Sequence, residues 1–274
     1  MGSHDPNFVR ETARKTFFGT DLRGITYDEL AENTPNPELF ERMAVKKKFG
    51  EIDLFVSHSW RDPPQHKFRV LQQVRERFVA EHNREPVIWF DKVCIDQNNI
   101  ESTLLCLPVY LSGCKKLLVI CGPSYLDRLW CMMELFVFLE MHSGEGDDID
   151  IKFIHADLDD GSERSEAEMV KFFEARFDAF DVSNAQCYDV AQREQLLGII
   201  EAAFGGLAGF NKVLRGTMRQ LRGRAMAEIK DQQRVLRASF SLSAAPIRRA
   251  EPDDDDDGAA AAPEPEMEIL DIAD

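Results

Sequence analysis

The sequence predicts an α/β protein in which a parallel sheet is covered by helices on both faces. Short apolar runs bounded by polar residues recur at 52–57, 86–91, 116–121 and 149–155, the pattern of strands buried on both sides. Between them lie segments whose apolar residues return at helical spacing, so strand and helix alternate three times over about a hundred residues. Polar loops at 57–64, 91–99 and 122–127 follow the first three strands. In an open parallel sheet the ligand site lies beyond these carboxyl ends, where the strand order reverses.

Taken in order, residues 1–50 are polar and mixed and form an N-terminal helical arm. Thr26-Tyr27-Asp28-Glu29-Leu30 reads as a helix start, with Thr26 as N-cap and Glu29 at the reciprocal position of a capping box. Asn33-Thr34-Pro35-Asn36-Pro37 breaks the chain, because each proline pushes its predecessor out of the helical region. Phe40, Met43 and Ala44 then predict a short helix ending in Lys46, Lys47 and Lys48. The main domain runs from 51 to 210. After its first strand, Phe68, Leu71, Val74, Phe78 and Val79 recur at helical spacing, with Lys67, Arg69, Arg75 and Glu76 between them. Residues 104–111 read as a helix bent at Pro108. Residues 129–139 are apolar nearly all round, which marks a buried helix. An acidic loop at 157–166 leads to a helix carrying Met169, Phe172, Phe173, Phe177 and Phe180. Another helix carries Leu196, Leu197, Ile200 and Phe204 and is ended by Gly205-Gly206.

The character changes beyond 210. Residues 212–237 hold eight basic and two acidic side chains, with Leu214, Met218, Leu221 and Ala225 in one stripe. A basic amphipathic helix over 211–240 is expected, either leaning on the domain or serving self-association, a membrane surface or an electrostatic dock. Residues 241–274 are rich in Ala, Pro, Asp and Glu and predict a disordered acidic tail, for which the basic helix is the natural intramolecular partner. From Glu251 onward there are eleven acidic residues and no basic ones. The net charge of −16 less this −11 leaves −5 on residues 1–250, so the acidity says little about what the folded part binds.

Several chemistries find no support. The six cysteines form no CxxC pair and sit mostly in apolar surroundings, which predicts free thiols in a reducing compartment. The histidines show no zinc spacing, so no metal and no resident cofactor are expected. No nucleic-acid partner is expected either. Phosphate-loop, dinucleotide and nucleophile-elbow motifs are absent from the sequence, and Gly205-Gly206-Leu207-Ala208-Gly209 follows a helix and reads as its terminator. There is no signal-type or membrane-length apolar run, and Pro6 breaks the myristoylation pattern that Met1-Gly2 begins, so a cytoplasmic protein is expected.

The one residue that asks for chemistry is Glu134. It is the only charge within 129–139 and shares a helix face with Cys131 and Phe138, one turn after Trp130. A carboxylate in such company is paired, protonated or functional, because burying it unpaired is costly.

The chain resembles the TIR (Toll/interleukin-1 receptor) domain over roughly residues 50–205. Ile52-Asp53-Leu54-Phe55-Val56-Ser57-His58-Ser59 resembles its first strand and first box. Trp89-Phe90-Asp91 with the loop to Asn99 resembles its second strand and BB loop. Gly122-Pro123-Ser124-Tyr125-Leu126 with Leu129-Trp130-Cys131-Met132-Met133-Glu134-Leu135 resembles its Ser…Trp-Cys-x-x-Glu-Leu box, although Arg128-Leu129 stands where a serine often precedes the Trp-Cys pair. A divergent TIR-like group from protists shares the 56–60 and 94–98 stretches, and the second of these also resembles the fungal heterokaryon-incompatibility domain.

The resemblance implies a flavodoxin-like fold and two alternative functions. In one, the domain cleaves the nicotinamide–ribose bond of NAD, with NAD as substrate rather than cofactor and Glu134 as the catalytic carboxylate. In the other, it is a non-enzymatic scaffold that assembles homotypically through the BB loop. The substrate-facing set implied by the boxes is Ser57, Ser59, Trp60, Asp91, Ser124, Trp130 and Cys131. Trp60 would stack on a flat ring, the serines would offer hydroxyls, and the start of the Trp130 helix would favour a pyrophosphate.

Overall fold

A computed structural model of the chain describes residues 5–32, 36–96, 100–141, 148–154, 165–220 and 223. The expected acidic tail, the acidic loop after the fourth predicted strand and most of the basic helix beyond Gln220 lie outside the described residues. So does the proposed contact between tail and helix.

The chain begins with helix α1 (Pro6–Thr16), strand β1 (Phe18–Asp21), helices α2 (Tyr27–Ala31) and α3 (Pro37–Met43) and strand β2 (Val45–Lys46). The core follows as β3 (Ile52–His58), α4 (Pro64–His82), β4 (Val87–Phe90), α5 (Asp91–Cys94), α6 (Ile100–Gly113), β5 (Cys114–Cys121), α7 (Leu129–Met141) and β6 (Ile149–Phe153). Then come α8 (Glu166–Asp178), α9 (Val190–Phe204) and a helix α10 (Leu207–Gln220).

Among the described residues, six strands form one sheet in the order β2-β1-β4-β3-β5-β6. The pairs β4–β3, β3–β5 and β5–β6 are parallel, whereas β1 runs antiparallel to both β4 and β2. The expected parallel sheet is therefore present, with an antiparallel edge added. That edge belongs to the first fifty residues, where the sequence reading placed no strand. Thr20 pairs with Ile88, and Phe18 with Lys46, so the arm extends the sheet rather than only resting on it. The lysine run is likewise not a helix end: α3 stops at Met43, and Lys46 lies in β2.

The connection β3–α4–β4 runs one way along the sheet, and β5–α7–β6 runs the other. Right-handed crossovers then place α4 on one face and α6 and α7 on the opposite one. The packing agrees, since α6 lies against α7 while α2 lies against α4. The order reverses between β3 and β5, whose carboxyl ends are His58 and Cys121.

The local signals explain most boundaries. Thr26 and Glu29 form the expected reciprocal capping box at the start of α2. Every residue of β3 is buried, as expected of a central strand covered on both faces. Phe55 and Trp89 stack across β3 and β4 with ring centroids 4.2 Å apart. Helix α6 continues through Pro108. Gly205 ends α9 in the left-handed region at φ 66°, where a side chain would be strained. The opposite end of β3 is held by ions. The Asp53 carboxylate accepts two hydrogen bonds from Arg84, both 2.7 Å, one from Lys115 at 2.9 Å and one from the Val87 amide at 3.0 Å.

All six cysteines are free thiols. Among the described residues no single helix is long and apolar enough to cross a membrane, though α9 and α10 pass that test together as a pair bent by 85°.

Candidate functional site

The carboxyl ends of β3 and β5 meet α7, and that of β4 lies beside β3. Parallel pairing of Ser57 with Val119 and of His58 with Ile120 sets β3 beside β5, and the chain after each strand turns over the same end of the sheet. Polar side chains concentrate there.

Glu134 projects from α7 and meets Ser57, whose hydroxyl donates to Oε2 at 2.5 Å. The same hydroxyl lies 2.8 Å from the phenol of Tyr125. Glu134 is half-buried, and no cation among the described residues pairs with it. Burial pushes its carboxyl up to about 8; the Ser57 hydrogen bond opposes that shift and the negative charge of Asp91 adds to it. The carboxyl is therefore mostly protonated near neutral pH, on a residue that is half-buried as a whole.

Asp91 follows β4. Its Oδ1 lies 2.9 Å from His58 Nε2, and its Oδ2 accepts the Trp60 indole N–H at 2.6 Å. Burial would raise the Asp91 carboxyl, but the His58 charge and hydrogen bond, followed by the Trp60 and Lys92 amide bonds, bring it below its ordinary value. His58 is shifted down, mainly by burial. The hydrogen bond to Asp91 assigns the ring proton to Nε2, which leaves Nδ1 as a buried acceptor without a partner. The ring itself stacks on Phe90 with centroids 4.8 Å apart.

A second network lies alongside. Asp62 Oδ1 accepts the Ser124 amide at 2.8 Å and its hydroxyl at 2.7 Å, and the Ser124 and Ser59 hydroxyls are 2.7 Å apart. Gly122 is required here, because a Cβ would come within 2.3 Å of the Asp62 carboxyl. Lys67 donates to the carbonyls of Ser59 at 2.9 Å and Trp60 at 3.1 Å. Burial brings its ammonium down to about 8, against the pull of Asp62. Lys92 reaches from α5 to the last turn of α2, donating to the carbonyls of Glu29, Leu30 and Glu32, and lies 4.7 Å from the Trp60 ring centroid.

These contacts sort the residues singled out in the sequence. Glu134, Ser57 and Asp91 come together, with Trp60 joined through Asp91. Trp60, Asp91, Trp130 and Glu134 keep accessible surface. Ser57, Ser59, Ser124 and Cys131 are buried, and Ser59 and Ser124 spend their hydroxyls on each other and on Asp62. Those two serve the shape of the loops rather than offering free hydroxyls. One face of Trp60 is covered by Lys92, so a stacking ring would have only the other. At the start of α7 the Leu129 amide is already bonded to the Gln186 carbonyl, which removes one donor from a pyrophosphate.

Three contributors were missed. His58 entered the sequence reading only as part of a motif. Asp62 belongs to the polar 57–64 loop, and Lys67 lies between the apolar positions of a helical segment, yet Lys67 is 1% exposed. No local signal marks Lys67, because its acceptors are backbone carbonyls supplied by the folded loop. Among the described residues no cluster of three or more His, Cys, Asp or Glu side chains could hold a metal ion.

No family model, no curated protein and no solved structure matches this chain.

Proposed function

We propose that the carboxyl end of the sheet is a site for cleaving the nicotinamide–ribose bond of NAD, within a TIR-like, flavodoxin-like signalling domain that acts when assembled with copies of itself. The observation that carries this reading is Glu134: a carboxyl without a cationic partner among the described residues, held by Ser57 at the strand-order reversal and pushed up to about 8 by burial.

The chemistry suits that group. The bond breaks with its electron pair leaving on the nicotinamide nitrogen, and the ribose carbon takes on oxocarbenium character. Water adds to that carbon, releasing ADP-ribose and a proton. An ionised carboxylate beside the ribose stabilises the developing positive charge, and a poorly solvated one does so more strongly. The cationic nicotinamide ring lowers the cost of ionising Glu134 when it binds. Ser57 aims the carboxyl. Asp91 supplies a second negative charge and holds Trp60 by its indole N–H, leaving one ring face for a flat group.

The strand order and its reversal between β3 and β5 support the fold on which this reading rests. The scaffold alternative needs an exposed loop after β4. Residues 92–95 pack inward, and 97–99 of that loop lie outside the described residues.

The test is nicotinamide release from NAD by the full chain at high protein concentration, beside Glu134→Ala. Release by the wild type and its loss in a folded mutant is the expected result. Equal release by both removes Glu134 from the chemistry, and no release by either returns the scaffold reading.

A further inference from the structure

The run Lys46, Lys47 and Lys48 plays no part in the site above, yet the fold gives it a shape. β2 is only two residues long, and the chain turns at Gly50 with φ 84°. All three lysines therefore line one groove instead of alternating across a strand. Arg14, in the last turn of α1, closes it, with Phe49 and Glu51 completing the wall. The groove has a volume of about 450 Å³, enough for a small organic molecule.

Its charge is unbalanced. Four cationic residues and one carboxylate line it, and Glu51 already accepts the Lys48 amide at 2.9 Å. Lys46 is partly engaged, donating to the Arg14 carbonyl and lying 5.1 Å from the Phe18 ring centroid. Arg14, Lys47 and Lys48 form no ion pair among the described residues. Four cations gathered around one concavity favour an anion that reaches several of them at once. Phe49 packs edge-on against Phe17 and remains 38% exposed, so it offers an aromatic surface beside the cations. The groove adjoins the amino end of β3, whereas Glu134 lies beyond the carboxyl end, about 20 Å away along seven residues.

We propose that this groove binds a ligand carrying adjacent phosphates, with Arg14, Lys47 and Lys48 on the phosphates and Phe49 against a ring or other apolar body attached to them. Lysine and arginine heads reach such oxygens with charge-assisted hydrogen bonds, while their stems and Phe49 cover apolar parts. The inference is independent of the NAD reading.

The full chain is titrated at low salt with inorganic tripolyphosphate, with ATP and with vesicles carrying a bisphosphorylated inositol lipid. Saturable binding of the soluble anions identifies a free oligophosphate, and saturation by the vesicles alone identifies a lipid headgroup; either supports the proposal. Lys47→Ala/Lys48→Ala is expected to weaken binding about tenfold or more. Phe49→Ala is expected to weaken ATP and spare tripolyphosphate. Binding should fall with added salt and persist in Glu134→Gln. No saturable binding of any probe overturns the proposal. So does unchanged affinity in the double lysine variant with unaltered thermal unfolding, or loss of tripolyphosphate binding in Glu134→Gln.

Discussion

The two ends of β3 bury carboxyl groups under opposite terms. At the amino end, Asp53 has a side chain only 4% exposed, yet Arg84, Lys115 and the Val87 amide meet it. Burial alone would raise this carboxyl; those partners hold it at about 2 instead. At the carboxyl end, Glu134 receives a single hydroxyl and rises to about 8. His58 Nδ1 and Asp62 Oδ2 are buried there without partners. A buried charge that is fully partnered serves the fold. A carboxyl left without a cation detracts from stability, and that is characteristic of groups kept for chemistry.

The largest expected effect comes from removing Glu134. Glu134→Ala should lower nicotinamide release by about 10²–10⁴-fold. Its thermal unfolding at pH 7–8 should be unchanged or raised, because the group it removes is uncompensated. A marked loss of stability at that pH would break the contrast between the two ends.

Asp53→Ala should do the converse. It removes four hydrogen bonds, leaves the Val87 amide unpaired and should cost about 1–3 kcal/mol in urea unfolding. Release per folded molecule should stay near the wild-type rate. An equal loss of turnover and stability would show that both ends act as one structural unit.

Gly122→Ala tests whether the Asp62 network matters to the site without touching Glu134. The new methyl meets a carboxyl pinned by Ser124, which should cost about 1–3 kcal/mol and disturb the 122–127 loop. Wild-type stability and turnover in this variant would mean that the loop yields freely.

How much of this was legible beforehand follows from how local each signal is. β3 and β5 announce themselves as continuous apolar runs, and Thr26 and Glu29 carry their capping box within four residues. Glu134 stood out because it interrupts an apolar helix. By contrast, Phe18-Gly19-Thr20-Asp21 has no apolar periodicity, and only pairing with β4, nearly seventy residues later, makes it a strand. Lys67 and Asp62 are ordinary surface types in the sequence, and the loops that bury them are assembled from distant parts of the chain.

The two shifts also set the pH dependence of stability. Glu134 has a folded pKa above its unfolded value, so it takes up protons on folding and its contribution is lost as pH rises from about 4.5 toward 8. Asp53 is shifted the other way, so its contribution is complete above about pH 4 and disappears as pH falls through about 2. Urea unfolding across pH 2–9 should show both slopes. Glu134→Gln should flatten the upper one alone, and loss of the lower slope in that variant would assign the two shifts wrongly.

The pH dependence of kcat/KM for nicotinamide release tests the central claim most directly, since it reports the free enzyme's essential group. With an ionised Glu134 as that group, the rate should climb with pH through a midpoint near 8 and level off above it, and Glu134→Gln should show no such rise. A profile already flat from pH 6 upward, or the same midpoint in Glu134→Gln, would contradict the assignment of the uncompensated carboxyl to catalysis.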